Sequence, residues 1–165
     1  MMPTIQGPEY TVHGATVRKV VAAFDSFKGC LSAREACEAC AQGIGRVLPH
    51  AAVVQLPLSD GGEGLVECVC RLLPSRPVTV EVHGPLMEPV TAEYAVSMDG
   101  RTAYMEMAAA SGLTLVPVGR RDVMRATTYG VGEMMADAVS RGCTEIVMGI
   151  GGSATCDGGR GMIEA

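Results

Sequence analysis

The chain has 165 residues, enough for one domain with a substantial core or for one domain and part of another. Its formal net charge of −5 argues against a general nucleic-acid binder and against attachment to an anionic membrane surface. Hydrophobic residues make up 48% but aromatics only 4%, which excludes disorder and points to a core built from Ala, Val, Leu and Met.

Met1 to Thr16 contains Pro, Gly and Glu and has no apolar h-region, so it is read as a loose tail and not as a secretory signal. Val17 to Phe24 (VRKVVAAF) is β-branched and bounded by turn residues, the pattern of a buried strand. After the loop DSFKGCL, Ser32-Ala-Arg-Glu35 has the spacing of a capping box and opens a helix that runs to about Val47, before Pro49. Ala52 to Leu56 is a second strand. Asp60-Gly-Gly-Glu63 repeats the cap spacing ahead of a helix carrying Leu65, Val66, Val69 and Leu72-Leu73. Strand, loop, helix, twice over, predicts the start of a Rossmann-like parallel α/β sheet across 17–76.

The pattern changes after Pro74-Ser-Arg-Pro77. Val78 to Val82 alternates, and Val90 to Ser97 and Thr102 to Met107 flank Asp99-Gly100, a strong hairpin signal. A second, mixed α/β domain with a β-hairpin is therefore expected over 77–165. Its later part holds a helix from Thr128 to Arg141 ended by Gly142 at C′, and a buried strand at Ile146-Val147-Met148. No run approaches the ~20 apolar residues of a membrane span.

Seven cysteines lie inside periodic segments. Cys37-x-x-Cys40 has no second pair or His cluster to complete a metal site, so the thiols are read as small buried residues in a reducing, cytoplasmic setting. A redox or metal protein is the weaker alternative. His13, His50 and His83 show no metal-ligand spacing and read as ordinary turn or surface residues.

Three loops share one design, in which a strand ends, polar and glycine residues follow, and a helix begins. They are Asp25-Ser-Phe-Lys-Gly29, Ser59-Asp-Gly-Gly-Glu-Gly64, and Gly149-Ile-Gly-Gly-Ser-Ala-Thr-Cys-Asp-Gly-Gly-Arg-Gly161. In an open parallel sheet, ligands gather beyond the carboxyl ends of strands, and the first two loops are expected side by side there. Lys28 offers a compact charge to a phosphate or carboxylate. Asp25 and Asp60 can hold Mg²⁺ through one or two carboxylates with water, or accept a proton. The third loop reads as an anion-binding turn whose backbone N–H groups face a phosphate. It has neither the GxxxxGK[ST] of a Walker A loop nor more than a weak dinucleotide fingerprint at Gly149-x-Gly151-x-x-Ala154. Against these stand plainer readings: Asp60 and Glu63 as helix caps, Lys28 as a solvated loop lysine, Asp25 as an Asx-turn, and the glycines as a structural turn.

Six segments in order resemble the glycerate kinases of the bacterial type. They are Asp25-Ser-Phe-Lys-Gly-Cys-Leu-Ser-Ala33, Pro57-Leu-Ser-Asp-Gly-Gly-Glu-Gly64, Gly84-Pro-Leu86, Glu106-Met-Ala-Ala-Ala-Ser-Gly-Leu113, Thr127-Thr-Tyr-Gly-Val-Gly-Glu133 and the Gly149 stretch. The resemblance implies a two-domain α/β fold and transfer of the γ-phosphoryl of Mg-ATP to a hydroxyl of D-glycerate, giving 2- or 3-phosphoglycerate. It assigns Lys28 and Asp60 to catalysis. It assigns Asp25, Ser26, Gly61, Gly62, Glu63, Gly151, Gly152, Ser153, Ala154, Thr155 and Asp157 to binding substrate or nucleotide, with no certain metal ligand. Cys156 departs from the family, which usually has Asn there, and Cys is the weaker hydrogen-bond partner. The resemblance also implies a protein more than twice this length, with both domains incomplete here and the 165 residues inactive alone. A non-catalytic short form that binds a ligand or partner is the alternative.

Overall fold

The computed structural model describes residues 11–12, 15–27 and 29–165. They divide into two compact units, 1–58 and 59–165. In the first, β1 (Thr11–Val12) and β2 (Ala15–Thr16) form a short antiparallel pair, and β3 (Lys19–Ala22) pairs in parallel with β4 (Ala52–Gln55), Val20 opposite Val53. The stretch 1–16 expected as a tail thus contains one strand pair, its other residues lying outside the described ones. The crossover from β3 to β4 is α1 (Ala33–Val47), and its capping box is present in full. Ser32 Oγ accepts from the Glu35 amide at 3.2 Å and Glu35 accepts from the Ser32 amide at 2.8 Å. Cys37 is fully buried, and its thiol donates to the Ala22 carbonyl at 3.2 Å, tying helix to strand.

The second unit starts with the loop before α2 (Leu65–Leu72) and is organised by one four-stranded sheet in the order β5 (Ser75–His83), β6 (Pro89–Ser97), β7 (Thr102–Glu106), β8 (Glu145–Gly149). The first three strands run antiparallel and β7–β8 is parallel. The hairpin at Asp99-Gly100 forms as predicted, with Gly100 at φ +76° and Asp99 Oδ1 accepting from Ser97 Oγ and the Arg101 amide.

Period-two alternation separates the two faces of this sheet. Val78, Val82, Tyr94, Val96 and Met105 pack with Val131, Met134 and Ala138 of α4 (Tyr129–Ser140), forming the larger core together with Ala110 of the short α3 (Ala108–Ser111). Ala95 and Tyr104 face the other way, against Val66 and Val69 of α2. That packing puts α2 in the second unit, whereas the sequence reading grouped residues 59–76 with the first. A helix goes where its apolar stripe is covered, and β5, β6 and β7 cover this one.

Tyr94, with its ring fully buried, donates its hydroxyl to Asp137 at 2.6 Å, and Arg141 Nε reaches the same carboxylate oxygen at 2.8 Å. Helix α4 ends in a Schellman motif: the Cys143 amide donates to Ala138 and the Gly142 amide to Val139, with Gly142 at φ +96°. The final helix is α5 (Arg160–Glu164). All seven thiols are free, and among the described residues no group of three or more His, Cys, Asp or Glu could hold a metal. No helix among them is long and apolar enough to cross a membrane.

Candidate functional site

In the first unit, the loop after β3 closes tightly on itself. The Phe27 amide donates to the Leu31 carbonyl at 2.9 Å, and Cys30 and Leu31 return bonds to Phe27. Asp25 Oδ1 accepts from the Ser26 amide at 2.6 Å. Lys28 lies outside the described residues.

The second unit brings two of the three loops together, the acidic one at 59–64 and the glycine stretch at 149–157. Their backbones touch. The Gly151 amide donates to the Gly61 carbonyl at 3.1 Å. A Cβ on Gly149 would stand 2.3 Å from that carbonyl oxygen, and one on Gly151 would stand 2.7 Å from Gly62. Any side chain at either position would push the loops apart, which is the physical reason for glycine here.

The expected cap by Asp60 and Glu63 does not form. Gly61 and Gly64 take φ of +93° and +92°, so the chain turns twice and α2 starts only after Gly64. Asp60, exposed, accepts the Gly62 amide on Oδ1 at 3.0 Å. Glu63 Oε1 accepts from Thr114 Oγ1 at 3.0 Å. The partner of the first turn of α2 comes instead from 40 residues downstream, Glu106 Oε2 accepting the Val66 amide at 3.3 Å. Burial pushes the Glu106 carboxyl above the ordinary glutamate range. The amides of Val66, Leu65 and Gly64 pull it down without cancelling that effect, and the negative charge of Glu63 adds to the rise.

The glycine stretch is braced from behind by residues 107–113. The Met107 amide donates to Gly149 at 2.8 Å, Leu113 to Gly152 at 2.9 Å, and Ala154 donates to Ser111 at 2.8 Å. Ser153 Oγ accepts the Thr155 amide at 3.1 Å and shares a 2.7 Å bond with Thr155 Oγ1. Of the amides expected to cradle an anion, those of Gly151, Ala154 and Thr155 are therefore taken. The consecutive amides of Gly152 and Ser153 donate to no group among the described residues, and Gly152 sits at φ +73°. Two successive N–H groups around a left-handed residue form a concavity suited to an anion oxygen.

Asp157, expected to bind ligand, is committed elsewhere. Its carboxylate takes five hydrogen bonds: from the Thr128 amide (2.8 Å), Thr128 Oγ1 (2.9 Å), Thr127 Oγ1 (3.4 Å), and the Gly159 (3.1 Å) and Gly161 (3.2 Å) amides. Burial works to raise its pKa, but these donors outweigh it and hold the carboxyl below the ordinary aspartate range. Asp157 fastens the start of α4 to the start of α5. Cys156 beside it is exposed. His83 closes β5, its amide and Nδ1 both meeting Glu133, at 2.7 and 2.9 Å.

Sequence reasoning assigned no role to Glu106, Ser111 or Thr114. For Glu106 a signal existed: alternation along β7 sets it on the face of Tyr104, the face that α2 covers.

These features define a mixed α/β protein in which glycine-rich loops meet at the end of a parallel strand pair. The chain belongs to the glycerate kinase family, whose model matches residues 20–165. It is 50% identical to a glycerate kinase of Bacillus subtilis over 147 residues, covering 89% of this chain and 38% of that protein. It is 47% identical to glycerate 2-kinase of Escherichia coli, with 89% of this chain and 39% of the relative covered. The crystal structure of a glycerate kinase 2 from Salmonella typhimurium superposes with a TM-score of 0.68 at 48% identity, covering 91% of this chain and 40% of that one. The chain thus spans about two fifths of the length of these relatives.

Proposed function

We propose that the chain is part of an ATP-dependent glycerate kinase that transfers the γ-phosphoryl of Mg-ATP to a hydroxyl of D-glycerate. The observation that carries this reading is the pair of unclaimed amides at Gly152 and Ser153, held beside an acidic loop by backbone contact. Phosphoryl transfer asks a protein for positioning and charge neutralisation more than for covalent chemistry. An amide concavity next to carboxylates fits that need. In this reading the Gly152–Ser153 amides hold a phosphate or the glycerate carboxylate, and Ser153 and Thr155 hydroxyls line the same turn.

Exposed Asp60 has the donor type and accessibility for Mg²⁺, which is ordinarily held by one or two carboxylates with water and which supplies neutralisation of phosphate charge when bound. From the resemblance, Lys28 neutralises charge on the transferring group, and Asp25, Ser26 and Glu63 contact substrate or nucleotide. The two compact units are taken as the first parts of two domains, in a cytoplasmic enzyme whose activity resides in a protein of the relatives' length.

The test is ADP formation by the complete protein, dependent on both ATP and D-glycerate. We expect Lys28→Ala to lower kcat by about two orders of magnitude or more. Turnover without glycerate, or a Lys28→Ala rate near that of the parent, defeats the assignment. ATP or glycerate binding by the 165-residue chain with no turnover by the complete protein would favour the non-catalytic alternative.

A further inference from the structure

We propose that Glu106 is a positioning residue, the strut that sets the acidic loop 59–64 at its working distance from the Gly152–Ser153 amides. The proposal rests on the phosphoryl-transfer reading above and adds a residue to it. Residues 106–114 form one continuous rear wall for both loops. On the glycine side it is joined by main-chain bonds: Met107 to Gly149, Leu113 to Gly152, and Ala154 to Ser111. On the acidic side the links are side chains. Thr114 holds Glu63 at 3.0 Å at the surface, and Glu106 holds the Val66 amide at 3.3 Å from inside. Because α2 begins directly after Gly64, fixing its first turn fixes where the loop 59–64 ends.

Main-chain bonds of the glycine side survive any substitution but proline at their donors. The Glu106 strut, by contrast, is an interior link between the wall and the first turn of α2 that a single side-chain change removes. Placing a carboxylate there costs desolvation that the amides of Gly64, Leu65 and Val66 do not fully offset, whereas an apolar residue would pack at the end of β7 without that cost. A strut is therefore a better account of an acid at this position than packing is. Glu106 touches neither unclaimed amide, so its effect on turnover passes through the loop.

The experiment compares Glu106→Ala and Glu106→Gln in the complete protein, by steady-state kinetics and by amide hydrogen exchange. Misplacement by about an ångström costs on the order of 10²-fold in rate. We expect Glu106→Ala to lower kcat by about 10- to 100-fold, with KM for ATP and glycerate changed by less than about threefold. Glu106→Gln, which keeps an acceptor oxygen at the same reach, should restore kcat to within about threefold. Exchange should quicken over 60–66 in Glu106→Ala and not in Glu106→Gln. Equal losses in both variants, or an unchanged kcat in Glu106→Ala, overturns the proposal. If the parent protein shows no kinase activity, the functional reading fails by itself. Exchange over 60–66 then decides the strut, and an unaltered rate in Glu106→Ala removes it.

Discussion

Asp157 and Glu106 are two part-buried carboxylates, each set against the start of a helix, and they behave in opposite ways. Asp157 collects five donors from two stretches of chain, 127–128 and 159–161, which hold its carboxyl below the ordinary range. Burial lifts Glu106 above the ordinary range despite the amides of Val66, Leu65 and Gly64, and the charge of Glu63 adds to the rise. Burial raises the pKa of both. The difference lies in how well donors answer it: hydroxyls join the amides at Asp157, whereas amides face the more deeply buried Glu106. A well-answered carboxylate is a fastener, and a poorly answered one is retained at a cost that needs another explanation.

The comparison can be broken most directly at Asp157. Asp157→Ala strands the amides of Thr128, Gly159 and Gly161, and we expect a loss of about 3 kcal/mol or more, read from the urea midpoint of the complete protein. Glu106→Ala should cost less, about 1–2 kcal/mol, because the desolvation of the carboxyl is relieved as its bonds to the start of α2 are lost. A larger loss at Glu106 than at Asp157 would invert the account. Tyr94→Phe, which removes the hydroxyl from Asp137 while keeping the ring, should cost about 1 kcal/mol.

Acid titration sharpens the contrast through its sign. The folded pKa of Asp157 is depressed, so its contribution is complete above the unfolded value of about 3.9 and is lost as pH falls through the folded value. Asp157→Asn should flatten that acid limb. The folded pKa of Glu106 is raised, so between the unfolded value of about 4.3 and the folded one the native state holds more proton. Stability from this group then falls as pH rises through that window. Glu106→Gln should remove that decline, and an unchanged slope would show that Glu106 does not titrate abnormally.

The same carboxylates mark what was legible in the sequence. The Ser32–Glu35 box was legible because both bonds are local and close within four residues. Asp60 and Glu63 have identical spacing and cap nothing, because the turns at Gly61 and Gly64 delay the helix and a residue 40 positions away supplies the bond. The hairpin at Asp99-Gly100 and the stop at Gly142 were readable for the same local reason as the box. The partnership of loops was not. Sequence order offered no reason to join the second loop to the third. The contact found here joins the second to the third, and only the fit of Gly149 and Gly151 against Gly61 and Gly62 shows it. Asp157 was expected to bind a ligand from its type and place, but a residue's type does not say whether its lone pairs are already taken.

The Gly152–Ser153 amides carry one more consequence. Apart from proline, every residue brings the same peptide N–H, so the amides of the proposed seat stay unchanged when side chains are exchanged. Any drift in what such a seat would accept then falls to side chains and to the wall behind: the hydroxyls of Ser153 and Thr155, and exposed Cys156. Under the proposed anion seat, members of one lineage would differ in preference while the amides that face the shared anionic group stay the same.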